Sequence, residues 1–197
     1  ELAVPPDRAA LMSPADHWGL LGSQTGLYIQ DAAKGAYRNG SLGMIGGVDT
    51  FMSQNIPTHT VGVATGTPLV NGAAQVSTYA SVKDTMTQTL NTDGWTNSTT
   101  GILKAGDVFT IANVYAVNPV TKATLPFLKQ FTVTADADSG ASTGPAALTI
   151  YPAIITSGAY QNVSAAPADN AAITVVGTGG TGYRQNLVFH KNAFALV

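Results

Sequence analysis

The sharpest chemical motif is a glycine-rich loop. Gly177, Gly179 and Gly182 form a GxGxxG pattern directly after an apolar segment, Ile173–Val176. In a dinucleotide site such glycines let the backbone approach a pyrophosphate at the start of a helix. The next apolar residues, Leu187–Phe189, have the pattern of a strand, so no strand–helix–strand unit follows the loop. The pattern favours a flexible loop, and a nucleotide-binding enzyme is the alternative.

Two carboxylates resemble the opening of a calcium loop. Asp136 and Asp138 have the required spacing and precede Gly140. Calcium needs several oxygen ligands, and the twelfth position, where such a loop has a bidentate Glu, is Ala147. The segment therefore predicts a hairpin turn, with no bound metal.

The remaining catalytic residue types are scattered. His17, His59 and His190 have no histidine partner at metal-ligand spacing, and the chain contains no Cys. No nucleophile lies in a recognisable arrangement with an oriented base. We therefore expect no catalytic residue, no metal, no cofactor and no enzymatic activity.

Composition narrows the class of protein. Of 197 residues, 45% are hydrophobic and only 10% are charged, and the net charge is −2. A bundle of exposed helices needs more Glu and Lys than this chain has. The charge also gives no basic field for nucleic acid. No apolar run approaches the length of about 20 residues that spans a bilayer, so we expect a soluble, β-rich chain without membrane contact.

The first sixty residues predict mixed α and β structure. Ser13 is a helix N-cap followed by Pro14, and this helix is expected to end at Gly22. A second helix is predicted over Leu27–Arg38. Residues 47–56 have the pattern of an extended segment that Pro57 ends.

From Val61 the pattern becomes that of short strands separated by turns. The turn signals include Asp93-Gly94, Asn118-Pro119 and a turn at Gly106 and Asp107, where Gly106 is expected to have positive φ. This spacing predicts a small antiparallel barrel or sandwich. The predicted strands are Met86–Leu90, Val108–Tyr115, Phe127–Thr134, Ala147–Tyr151 and Ile173–Val176.

The last residues return to a strongly apolar pattern. We expect this stretch to form a strand that docks on residues 1–60 and buries Phe189 and Phe194. The predicted class is therefore α+β, with a β-domain inserted into a mixed segment. The chain starts without Met and stops within an apolar run, Phe194–Val197, so we also expect a piece of a longer protein. A surface low in charge is typical of one that packs against neighbours.

Five blocks of sequence together resemble one family. As a set, in their order and spacing, they are similar to the major capsid (coat) proteins of tailed phages and prophages of the P-twenty-two type. The stretch from Gly47 to Gly62 also resembles the family's lead into an inserted domain. The blocks are Gly101–Ile111, Val114–Pro119, Leu125–Val133, Gly158–Val163 and Asn186–Leu196.

The resemblance implies an architecture. It implies part of the tailed-phage (HK-ninety-seven-type) capsid fold, with residues 1–60 and 184–197 as pieces of its A-domain. Residues 61–183 would be the inserted small antiparallel β-barrel, the I-domain. The stretch from Val70 to Met86 is placed like the family's loop that reaches a neighbouring subunit. In this chain the loop keeps only two charged residues, Lys83 and Asp84.

The resemblance also implies a function. The protein would be a structural subunit that assembles with copies of itself, as pentamers and hexamers, into an icosahedral shell. Its partners would be scaffolding and portal proteins and the enclosed genomic DNA, without sequence-specific contact. It would be assembled in the bacterial cytoplasm and reside in the virion. The alternative from composition is a β-sandwich adhesion module of a bacterial surface protein, against which the two predicted N-terminal helices stand.

Overall fold

The computed structural model of the chain describes residues 7–24, 43–78 and 86–194. These residues are mostly β and form twelve strands and one helix. The predicted helix over Leu27–Arg38 lies outside the described residues. In chain order the elements are β1 (Arg8–Met12), α1 (Pro14–Gln24), β2 (Met44–Ile45), β3 (Val48–Met52), β4 (Thr58–Thr60), β5 (Gly66–Val70), β6 (Gln88–Trp95), β7 (Val108–Val117), β8 (Thr124–Val133), β9 (Ala146–Tyr151), β10 (Ile173–Val175), β11 (Gly182–Arg184) and β12 (Leu187–His190).

The chain divides into two compact units. The first, here called the barrel unit, is Thr60–Gly182. The second, here called the sheet unit, combines Leu2–His59 with Tyr183–Val197. Where the chain passes from one unit to the other, β4 and β11 form a sheet of two strands. One continuous stretch of chain is thus inserted into the other unit.

The sheet unit contains four strands in the order β12-β1-β3-β2. β12 is antiparallel to β1, with Phe189 opposite Ala9, so the final apolar stretch does return to the N-terminal segment. β3 is parallel to β1, with Asp49 also opposite Ala9. Two parallel strands need a crossover connection, and α1 lies in the connection between β1 and β3.

Helix α1 begins at the predicted N-cap. The Ser13 hydroxyl accepts the Asp16 N–H at 3.2 Å and donates to an Asp16 carboxylate oxygen at 2.7 Å. The first of these bonds pairs a backbone N–H that the first helical turn leaves without a partner, and the second joins the two side chains. The helix continues two residues beyond the expected end at Gly22, to Gln24.

Asp16 also ties the helix start to the returning chain of the sheet unit. Asn186 donates to Asp16 at 2.9 Å through Nδ2 and accepts the Ser13 N–H at 2.9 Å through Oδ1. Arg184 forms an ion pair with the same carboxylate at 2.8 Å. The hydrogen bonds from Ser13 and Asn186, with the Arg184 charge, hold the pKa of Asp16 below its ordinary value of 3.8.

The barrel unit contains one antiparallel sheet of six strands in the order β10-β7-β8-β9-β6-β5. Its two end strands are joined by an antiparallel bridge between Leu69 and Ala172. Val70 donates its N–H to the Ala171 carbonyl at 2.9 Å and accepts the Asn170 N–H at 2.9 Å. The sheet is therefore nearly closed and barrel-like, which favours the barrel over the sandwich that the sequence left open.

Side chains of the barrel alternate between the inside and the outside. In β9, Ala146, Leu148 and Ile150 are buried, whereas their neighbours are partly or fully exposed. Phe109 of β7 and Phe131 of β8 are opposite each other in the register, with ring centroids 5.9 Å apart. Both are fully buried. Every second side chain along these strands thus points inward, and these side chains form the apolar core.

All five predicted strands exist, but no turn forms at Asp93-Gly94. β6 runs through Asp93 and Gly94 to Trp95, although this dipeptide is a turn signal. Gly94 has a φ of 74°, and a Cβ there would overlap the carbonyl oxygen of Thr67 on β5. The pairing of β5 with β6 shifts register between Gly66 and Leu69. The glycine therefore lets a strand continue past a β-bulge. β5 itself was not predicted.

The prediction that Phe194 is buried is wrong. Phe194 is 68% exposed, and Phe189 is only half-buried. β12 ends at His190, whose carbonyl accepts the Ala193 N–H at 2.8 Å, so the chain turns away from the sheet before Phe194. The two rings contact each other edge to face, with centroids 5.3 Å apart. The docking of the strand was predicted correctly, but its length was overestimated.

Replacement of Phe131 by Ala tests the barrel core. We expect Phe131→Ala to lower the free energy of unfolding by about 3–5 kcal/mol, because a fully buried ring leaves a cavity. Phe127→Ala is the matched control, since Phe127 lies on the same strand and is 56% exposed. Urea denaturation followed through the buried Trp95 measures both. Equal losses for the two variants would contradict the placement of Phe131.

Acid titration tests the role of Asp16. Because its pKa is lower in the folded state, its stabilisation is complete above about pH 5 and is lost as the pH falls through the folded-state pKa. We expect Asp16→Asn to lower the thermal midpoint at pH 7 and to flatten its dependence on pH in the acid range. Arg184→Gln should change less, because it keeps the hydrogen bonds from Ser13 and Asn186. A steeper acid response in Asp16→Asn would refute the assignment.

Candidate functional site

The three histidines lie on three different elements. His17 lies in α1, His59 in β4 and His190 in β12. Across residues 7–24, 43–78 and 86–194, no group of three or more His, Asp or Glu side chains is arranged to hold a metal ion. Among the same residues, no helix is long and apolar enough to cross a membrane.

The glycine-rich loop packs against the segment that enters the barrel unit, Val61–Ala64, here called the entry segment. The Gly180 N–H donates to the carbonyls of Val61 and Gly62 at 3.1 and 3.0 Å. A Cβ on Gly179 would overlap the Val63 carbonyl oxygen. The loop leads into β11, so the helix that a dinucleotide site needs does not follow. The loop is therefore docked and not the free loop that the sequence suggested.

The two carboxylates of the calcium-like segment bind backbone groups. Asp136 accepts the Ala105 N–H at 2.8 Å, and Asp138 accepts the Gly101 N–H at 2.6 Å. The next residue, Ser139, accepts the Thr99 N–H at 2.9 Å. The segment does connect neighbouring antiparallel strands, β8 and β9, but it lies along residues 99–105 and does not form a tight turn.

The predicted turn at Gly106 and Asp107 also fastens the entry segment. Gly106 has a φ of 101°, a conformation that favours glycine. Asp107 is 2% exposed, and one of its carboxylate oxygens accepts the N–H groups of Lys104 at 2.7 Å and Gly62 at 2.9 Å. Two backbone hydrogen bonds extend this attachment. The Val63 N–H donates to the Gly101 carbonyl and the Ala64 N–H donates to the Ile102 carbonyl, both at 2.9 Å.

Lys83 and Asp84, the charged pair of the suggested inter-subunit loop, lie outside the described residues. The described residues on either side, 71–78 and 86–88, are here called the loop stems. Gln88 connects them, because its Oε1 accepts both the Ser77 hydroxyl at 3.1 Å and the Ile154 N–H at 2.9 Å. Sequence reasoning missed Gln75 and Gln88, since isolated glutamines have no spacing that marks a structural role.

Large apolar side chains are exposed on both units. Scattered exposed apolar residues are ordinary, whereas a contiguous apolar patch is typical of a surface that contacts another protein. On the barrel unit the most exposed are Val120 and Phe127, at 77% and 56%. On the sheet unit they are Trp18, Met44, Phe51, Met52, Val188 and Phe194.

Removal of the Asp107 carboxylate tests the attachment of the entry segment. We expect Asp107→Ala to lower the free energy of unfolding of the barrel unit by about 2–4 kcal/mol, because two buried backbone N–H groups lose a charged acceptor. Lys104→Ala is the control: it keeps the backbone donor and removes only an exposed side chain. Denaturant unfolding of both variants measures the difference. A loss below about 0.5 kcal/mol, the range of ordinary surface changes, would contradict the role.

Comparison with known proteins points to one family. A curated relative, the major capsid protein of Acyrthosiphon pisum secondary endosymbiont phage 1, is 29% identical over 192 residues. The match covers 92% of this chain and 45% of that protein, so the chain spans about half the length of this relative. A solved structure, the CUS-3 coat protein I-domain, is 30% identical and aligns with a TM-score of 0.37, covering 57% of this chain and 96% of that one. The family model of the P22 coat protein, gene protein 5, matches residues 1–197. The chain belongs to the P22 coat protein family.

Proposed function

We propose that the full-length protein is a major capsid subunit, which assembles with copies of itself into the icosahedral shell around a phage genome. The observation that carries the proposal is the match of the coat-protein family over every residue of the chain. The curated relative of similar sequence is also described as a major capsid protein. A shell subunit functions by repeated contacts between identical copies, in which many weak interactions add through multivalency.

The two units have separate places in this proposal. The barrel unit is the inserted I-domain, and the sheet unit is part of the A-domain of an HK-ninety-seven-type capsid fold. Two features support this division: the inserted stretch closes its own barrel, and a continuous cluster of buried apolar residues fills it. An inserted domain with a complete core can fold as a unit and stabilise the chain around it.

Contacts between subunits are assigned to two kinds of surface. The first is the loop that contains Lys83 and Asp84, for which the family resemblance implies contact with a neighbouring subunit. The residues on either side of it are joined by hydrogen bonds of Gln88 to Ser77 and Ile154. The exposed apolar residues of the sheet unit, such as Trp18 and Phe51, are the second surface. Burial of such side chains between copies supplies the main favourable term in association.

The proposed role is structural, without catalysis or a cofactor. In the described part of the chain, the two carboxylates that suggested a calcium loop, Asp136 and Asp138, bind backbone N–H groups instead. The net charge of −2 suits a shell that encloses DNA without reading its sequence. Scaffolding and portal proteins are the further partners, the host cytoplasm is the site of assembly, and the virion capsid is the final location.

Electron microscopy tests the proposal. The full-length gene product is expressed alone and with the protein encoded just upstream of it, the expected position of a scaffolding gene. We expect closed shells of uniform size, more abundant in the presence of the second protein. Fibres or cell-surface material would instead support the adhesion module. Soluble subunits in both preparations, with the barrel unit folded, would contradict self-assembly under these conditions.

A further inference from the structure

An asparagine followed by a glycine lies directly after β5, on the surface of the barrel. The sequence contains this dipeptide at Asn39-Gly40, outside the described residues, and at Asn71-Gly72. Asn71 is exposed, and Gly72 has a φ of 101°. A Cβ on Gly72 would lie 4.0 Å from Gln75 Nε2, so among the described residues little crowds the peptide bond between Asn71 and Gly72 or keeps water from it.

An Asn-Gly dipeptide can modify itself, because glycine has no Cβ to obstruct its own amide nitrogen. The Gly72 nitrogen loses its proton and attacks the side-chain carbonyl carbon, Cγ, of Asn71. A bond from this nitrogen to Cγ forms, the bond from Cγ to Nδ2 breaks, and Nδ2 leaves as ammonia after taking up a proton. Water then opens the resulting succinimide at one of its two carbonyls. The product is either Asp or isoaspartate, whose main chain is one carbon longer.

Hydrogen bonds hold the main chain of this dipeptide on both sides of the reacting nitrogen. The Gly72 N–H donates to Asp169 Oδ1 at 2.9 Å. The Asn71 N–H donates to the Asn91 carbonyl at 3.0 Å. Gln75 Nε2 donates to the carbonyls of Asn71 and Gly72, at 3.0 and 3.1 Å. The N–H and carbonyl groups of both residues are therefore all engaged.

Asp169 is itself held in place beside Gly72. Asn170 Nδ2 donates to the second oxygen of the Asp169 carboxylate at 3.0 Å. The Asn170 N–H donates to the Val70 carbonyl at 2.9 Å. The segment that contains Asp169 thus runs along the end of β5, where the two ends of the six-stranded sheet meet. The carboxylate is oriented on the Gly72 N–H by its own neighbours.

We propose that Asn71-Gly72 is a site of spontaneous deamidation, and that Asp169 and Gln75 suppress this reaction in the folded subunit. The carboxylate disfavours loss of the Gly72 proton, because a second negative charge would form beside the first. Ring closure also requires the nitrogen to align with Cγ. That rotation withdraws the Gly72 N–H from Asp169 and the neighbouring carbonyls from Gln75, so the hydrogen bonds oppose it.

The suppressed reaction would damage the barrel at a sensitive point. Val70 forms backbone hydrogen bonds to Asn170 and Ala171, which join the end of β5 to the chain before β10. An isoaspartate would lengthen the main chain directly after Val70 and displace the Gly72 N–H from Asp169. Either product would also add a carboxylate next to the residue that Asp169 binds, and like charges repel. The hydrogen bonds of Asp169 and Gln75 therefore protect the place where the sheet ends meet.

Chemical ageing of the full-length subunit tests this inference. The protein is incubated at mildly alkaline pH and digested, and mass spectrometry with fragmentation measures conversion of Asn71 to Asp and isoaspartate. We expect conversion about tenfold slower in the folded protein than in protein unfolded in guanidinium chloride. Asp169→Ala should raise the rate in the folded protein about tenfold, because it removes a charge-assisted hydrogen bond. Asp169→Asn, which keeps an oxygen acceptor without the charge, should give an intermediate rate.

Two further variants separate local suppression from general loosening of the barrel. Gln75→Ala should raise the rate while Asp169 is intact. Asp138→Ala is the matched control, because it removes a carboxylate from another glycine N–H, that of Gly101, and it should leave conversion of Asn71 unchanged. Only variants whose thermal midpoint exceeds the incubation temperature are compared; if Asp169→Ala fails this criterion, Asp169→Asn and Gln75→Ala decide.

Three results would overturn the proposal. One is equal conversion of Asn71 in the folded and the unfolded wild type. Another is conversion in the folded Asp169 variants that is equal to or slower than that of the wild type, since slower conversion would make the carboxylate a base for the reaction. The third is a rise in Asp138→Ala as large as that in Asp169→Ala, which would assign the effect to loss of barrel stability.

Discussion

Closure of the six-stranded sheet is the constraint on which the barrel unit depends. An open antiparallel sheet of this size would leave its end strands exposed and its apolar face uncovered. The bridge between Leu69 and Ala172, with the backbone bonds of Val70, joins the ends and encloses the side chains of Phe109 and Phe131. These contacts connect residues about a hundred positions apart, so they bring the two ends of the inserted stretch together.

Carboxylates are the second feature that orders the barrel unit, in a chain that has few charges. Asp107, Asp136 and Asp138 each accept backbone N–H groups of the loops at one end of the barrel. Such charge-assisted bonds are stronger than those between neutral groups, so three side chains can order a long irregular region. Two of them, Asp136 and Asp138, suggested a calcium loop in the sequence. Their distances to backbone donors, and not their spacing, reveal what they do.

The sequence predicted the strands of the barrel better than their connections. Alternation of apolar residues located β7 to β10 closely, because that pattern depends on one buried face. It missed β5, which is short, and it placed a turn at Asp93-Gly94, where the glycine accommodates a bulge. Burial of Phe194 was overestimated, because the end of a strand is set by the turn that follows it. The roles of Gln75 and Asp107 depend on long-range partners, which no local pattern encodes.

The use of side-chain amides at the β6 edge has a physical rationale. The Asn71 N–H donates to the Asn91 carbonyl at 3.0 Å, so the backbone ladder continues one step past Val70. The carboxamide of Gln75 accepts the Asn91 N–H at 2.7 Å and donates to the same carbonyl at 3.0 Å, and the main chain is free to follow another direction from there. A sheet edge is thereby paired without being extended, which avoids an exposed template for unwanted strand addition. For the proposed capsid subunit the device matters in particular, because an unpaired edge on every copy would compete with the contacts that build an ordered shell.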